Sequence, residues 1–163
     1  MVNASSSSGT CNNNGPIIAQ VPIDLDRDSD RVVTIKKGLN EYFQAVSTPI
    51  VEGITSKEDK LQLIASTFSS EATTEVELWT SKGTHLIGSR EQVVTSFYAS
   101  DESPVMKYPT TFCPKLINRN TICISQDENT IAVEIELTPS TIKVGDFFTF
   151  DKHGKICQLR IYS

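Results

Sequence analysis

From Ile131 onward the chain alternates with a strict period of two: Ile131, Val133, Ile135 and Leu137 are separated by Ala132, Glu134, Glu136 and Thr138. Successive strand side chains point to opposite faces, so this run has one face for a core and one for solvent. A strand of that kind belongs to an antiparallel sheet covered on one side. The pattern continues, since Asp146, Phe148 and Phe150 share one face of the next predicted strand. Asp151-Lys152-His153-Gly154 then makes a turn, and Ile156 to Tyr162 returns as the last strand of a C-terminal hairpin. Earlier strand candidates are Thr73 to Trp79, Thr84 to Ile87, Tyr108 to Ile117 and Thr121 to Ser125, with Asp101 to Pro109 as a loop.

The first half follows the helical period instead. Val32, Ile35, Leu39, Tyr42, Phe43 and Val46 recur at spacings of three and four, which predicts a helix over Ser29 to Val46 with Tyr42 facing the core. Ser56 and Asp59 form an N-terminal capping pair ahead of Leu61, Ile64, Ala65 and Phe68. Ser89 and Gln92 form a second such pair ahead of Val93, Val94, Phe97 and Tyr98, for a helix ending near Ser100. Helices first and adjacent strands afterwards predict an α+β fold, three helices packed on one side of a curved, mostly antiparallel sheet.

The chain has 163 residues and a formal charge of -5. That length suits one domain, expected over residues 29–163, after a tail over residues 1–28. The Ser, Asn and Gly of residues 3–15 bury too little apolar surface to offset ordering entropy, so the chain is expected to be disordered from Met1 to about Val21, and the tail as a whole disordered or extended. No basic stripe suggests a nucleic-acid partner. No apolar run suggests a signal peptide or a membrane span, and a cytoplasmic protein is expected. Cys11, Cys113, Cys123 and Cys157 show no C-x-x-C pairing, so four reduced thiols and no structural zinc are expected. No cofactor motif appears, and two histidines far apart in sequence give no reason to expect a catalytic metal.

Four stretches, in order, resemble the superfamily of cone-shaped domains that includes nuclear transport factor 2, the SnoaL-like polyketide cyclases and the ketosteroid isomerases. They are Glu41-Tyr42-Phe43-Gln44-Ala45, Thr67-Phe68-Ser69-Ser70-Glu71-Ala72-Thr73, Gly88-Ser89-Arg90-Glu91-Gln92-Val93, and Gly145 to Ile156 with its Gly-Asp-Phe-Phe-Thr-Phe-Asp core. The resemblance spans about Val32 to Tyr162. It implies the cone-shaped fold, a homodimer, and a pocket for a small apolar carbonyl or phenol-like ligand. Ketosteroid isomerases use a helical Tyr and a protonated strand Asp as donors to an enolate oxygen, with a second Asp as base. Tyr42 falls on the helical Tyr and Asp146 on the strand Asp, which the resemblance therefore makes the catalytic candidates. The base position falls on Val76, which cannot carry a proton.

Read without the family, Asp146 among Phe148 and Phe150 is a carboxyl in apolar surroundings, whose pKa should rise. It is equally consistent with a strand-end cap or a solvent-facing side chain. Tyr42 is also consistent with a plain core aromatic whose hydroxyl finds a polar partner. Val76, Leu78, Phe97, Phe148 and Phe150 are expected to line the pocket, with His85 as a general base if it points inward or a rim residue if it does not. His153 in the turn is expected to be exposed. Two functions follow. One is an enzyme that isomerises, cyclises or dehydrates a small carbonyl compound through an enol-like state. The alternative is a non-catalytic domain that binds a ligand or mediates assembly, including protein binding of the nuclear-transport-factor kind, and the loss of the base at Val76 favours it.

Overall fold

Ser29 starts the first helix because its side chain accepts a hydrogen bond from the Val32 amide, which satisfies one of the amides left free at a helix start. In the computed structural model, which describes residues 18–71 and 73–163, that helix is α1 (Asp30–Ser47). Both capping pairs read from the sequence close reciprocally: Ser56 with Asp59 at the head of α2 (Lys57–Ala65), and Ser89 with Gln92 at the head of α3 (Arg90–Tyr98). The segment expected to be a plain loop contains one helical turn, α4 (Pro104–Lys107). Its Pro104 sits where a missing N–H costs nothing, and its Val105 is buried.

Seven strands follow the helices or lie between them: β1 (Val76–Thr80), β2 (His85–Gly88), β3 (Cys113–Leu116), β4 (Cys123–Ile124), β5 (Thr130–Thr138), β6 (Ile142–Phe150) and β7 (Ile156–Tyr162). They form one sheet in the order β2-β1-β7-β6-β5-β3, with β4 also paired to β5. Every pair is antiparallel except β1 with β7. The fold is thus α+β, with an open, curved, mostly antiparallel sheet. β3 is shorter than the predicted strand, and Pro114 is tolerated in it because it lies at the end of the sheet.

The core lies between the helices and one sheet face. Ile35, Leu39, Phe43, Phe68, Leu78, Ile131, Phe148 and Leu159 are all fully buried there. Two features hold α1 against the β6–β7 turn and the turn between β4 and β5. Arg31 donates to the carbonyls of Glu128, Phe150 and Asp151 and to the side chain of Asn129. Gly38 lets the helix approach so closely that a Cβ there would stand 2.0 Å from the carbonyl oxygen of Gly154, which itself has a φ of +78°.

Two expectations need correction. Residues 18–21 are not detached from the domain: Ile18, Ala19 and Val21 are buried, Ala19 donates its amide to the Pro114 carbonyl, and the Asn40 side chain serves both the N–H and C=O of Val21. These apolar residues cover β3, which has no strand beyond it, so burial there outweighs the ordering cost. The disorder expected over residues 3–15, and the thiol expected at Cys11, lie outside the described residues. The second correction is at Cys113, which is disulfide-bonded, while Cys123 and Cys157 are free. Disulfide pairing is decided by proximity in the fold, which sequence spacing does not reveal. Among the described residues no helix is long and apolar enough to cross a membrane.

Candidate functional site

Three elements bring three polar side chains to one apolar cavity. α1 contributes Tyr42, α3 contributes Tyr98, and β6 contributes Asp146. The Tyr42 and Tyr98 hydroxyls are hydrogen-bonded to each other at 2.5 Å. One hydroxyl hydrogen of the pair is spent in that bond, and the other remains for a third group. The Tyr42 ring is held edge-on by Phe148 and Phe68, with centroids at 5.1 and 6.1 Å, so its position is fixed by packing.

Asp146 follows from strand alternation. Phe148 and Phe150 turn inward, so Asp146 must as well, and it is 3 % exposed. Its partners across the sheet, Val133 and Ile161, are apolar. Its Oδ1 is buried with no hydrogen-bond partner. Burial, with no cation to offset it, raises its pKa to about 7. Burial likewise raises both phenols, helped at Tyr42 by Tyr98 and at each by the charge of Asp146, so the tyrosines stay neutral donors and acceptors. The cavity, about 140 Å³, has further walls from Val46, Phe97, Phe112, Ile135, Leu137 and Val144.

The sequence expectations therefore divide. Tyr42, Asp146 and Phe97 line the cavity. Val76, Leu78, Phe148 and Phe150 are buried but do not line it, because the rings of Tyr42, Phe43, Phe148 and Phe150 pack on one another and fill that part of the cone. The base position at Val76 thus belongs to solid core. His85 points the other way. Its neighbour Leu86 faces Leu78 across β1–β2, so alternation turns His85 to the outer sheet face, where it is exposed and bonded to Glu77 at 2.7 Å. That bond and one from Gln158 hold the Glu77 carboxyl below its usual range. His85 is no base for this cavity. His153 is exposed, beside Glu71.

Tyr98 is the functional candidate that sequence reasoning missed. It was legible only as one member of a buried helical stripe, although a buried tyrosine hydroxyl needs a polar partner and could have been matched with Tyr42 on that ground. The walls from Phe112 and Val144 carry no sequence signal beyond being apolar.

This geometry can be set beside known structures. A SnoaL-like protein of unknown function from Burkholderia thailandensis superposes with a TM-score of 0.53 at 12 % identity, over 86 % of this chain and 97 % of that one. The chain has the SnoaL-like, nuclear-transport-factor-2-like fold. An NTF2-like protein of unknown function from Cytophaga hutchinsonii (14 % identity, 79 % of this chain and 88 % of that one, TM-score 0.49) is also similar. So is SalBIII, described as an epoxide hydrolase/cyclase-like enzyme in pyran ring formation in the polyether salinomycin (16 %, 78 % and 88 %, TM-score 0.49). No protein-family model matches the chain, and no curated protein matches it. At these identities the SnoaL-like likeness establishes the fold, and function has to be argued from the site.

Proposed function

We propose that the chain forms a small-molecule-binding SnoaL-like domain whose cavity holds a ligand oxygen carrying partial negative charge, the oxygen of an enol or a phenol. The observation that carries this reading is the unpartnered, buried Asp146 Oδ1 in the same apolar cavity as the Tyr42–Tyr98 pair. A neutral carboxyl and a tyrosine hydroxyl are donors of the kind that stabilise a developing oxyanion, and they act most strongly where water is excluded. An enol-like intermediate of an isomerisation, cyclisation or dehydration is the reactive form such a site suits. In that chemistry Asp146 and the tyrosine pair would hold the oxygen, and any proton moved by the cavity would pass through Asp146.

A specific observation favours the second reading, a domain that binds without catalysis. Besides Asp146 and the two tyrosines, no lining residue titrates, and Val76 supplies no base. Both readings share the oxygen site. Titration calorimetry with 4-methylphenol at pH 6 tests it: binding is expected to weaken about threefold to tenfold in Asp146→Leu, the loss of one hydrogen-bond donor. Equal affinity in the variant would mean that Asp146 is structural. The outer sheet face, where Trp79, Phe147 and Tyr162 pack together and Arg160 lies over Phe147, is the surface we assign to a homodimer.

A further inference from the structure

The cavity's dimensions narrow the ligand class further, given the oxygen site just proposed. Its depth is fixed on the polar side. Behind Tyr42 stand Phe68 and Phe148, both fully buried and in ring contact with it, so the floor cannot recede without repacking the core. The sheet wall is equally rigid, since Ile135 and Val144 are opposed in the β5–β6 register and both are buried. The half-buried members, Phe97, Ser103, Pro104, Leu137 and Ile161, stand towards solvent. The space, about 140 Å³ and open to solvent on one side, is close in volume to an apolar protein cavity of about 150 Å³ known to hold one benzene ring. Four rings among the walls, those of Tyr42, Phe97, Tyr98 and Phe112, offer faces and edges to a flat guest.

We infer that this site selects a ligand with one six-membered ring bearing an acidic hydroxyl or enol, and excludes fused polycyclic compounds carrying the same oxygen. A second fused ring would have to displace Leu137 or Phe97, or remain in water outside the walls. The selectivity is then steric, and Leu137 is a specificity-determining residue because its side chain stands where the second ring would go.

The test is calorimetry at pH 6 with 4-methylphenol, 2-naphthol and estradiol, three phenols of similar acidity and increasing ring count. Apolar burial alone would make affinity climb along this series. The inference expects the reverse: 2-naphthol at least tenfold weaker than 4-methylphenol, and no measurable heat from estradiol. Leu137→Ala should recover 2-naphthol at least tenfold relative to 4-methylphenol. Val46→Ala, which enlarges the cavity from the helix side, should do the same and serves if Leu137→Ala is not folded by circular dichroism. Affinity rising with ring count in the wild type would overturn the size limit and leave the oxygen site standing. Failure of all three phenols to bind would overturn the oxygen site and the size limit with it.

Discussion

Among the described residues, Asp146 and Lys60 are ionisable side chains that the fold buries against their preference for water. With Asp146 raised to about 7 by burial, the folded state keeps a proton that the unfolded chain releases near 4. The unfolded state therefore binds fewer protons between those values, and stability falls as pH rises through that window. Thermal denaturation of Asp146→Leu should show a variant more stable than wild type at pH 8, with the advantage shrinking by about 2 kcal/mol at pH 5. A difference independent of pH would mean that Asp146 ionises normally in the folded state. Lys60 on α2 is 1 % exposed, has no ion-pair partner among the described residues, and is lowered to about 8 by burial. Its charged form is the strained one, so the cost is full below pH 8 and is relieved as pH rises towards the unfolded value near 10.5. Lys60→Met should raise stability at pH 7 by about 1–2 kcal/mol, read as a higher midpoint of urea denaturation.

At the scale of elements, α1 and the β6–β7 turn are held by contacts far apart in sequence. Arg31 makes four hydrogen bonds, two to the β6–β7 turn and two to the turn before β5, and Arg31→Ala should cost about 2–3 kcal/mol by leaving several carbonyls without a donor. Gly38→Ala should cost more than about 3 kcal/mol, because its Cβ would meet backbone and not a movable side chain. Chemical denaturation of the two variants measures both. Legibility follows the same division. Three helices could be read because caps and apolar periodicity are local, and β5 to β7 could be read because alternation and a turn are local. The parallel pairing of β1 with β7 and the disulfide at Cys113 are decided by long-range proximity. Asp146 was legible from its inward-facing neighbours. The error over Val76, Leu78, Phe148 and Phe150 was of another kind: a facing rule tells which side chains point inward, but not which inward space is filled.

For the whole molecule, the sheet has one face committed to the core and one on which Trp79, Phe147, Tyr162 and the buried, unpartnered Nε of Arg160 gather. Sedimentation at micromolar concentration should give a two-fold dimer, and Phe147→Lys should shift it to monomer without unfolding it. A wild-type monomer at those concentrations would remove that assignment and leave the cavity untouched. The cavity carries the central claim, that Asp146 and the Tyr42–Tyr98 pair donate to an oxygen with partial negative charge. The most direct measurement is the affinity of 4-substituted single-ring phenols of graded acidity at pH 6, by calorimetry on the wild type. Affinity should rise steadily as the phenol becomes more acidic, because charge on the acceptor strengthens each donated bond. Affinity that is flat or falls with acidity, and follows substituent hydrophobicity instead, would contradict an oxyanion-holding role for the three side chains.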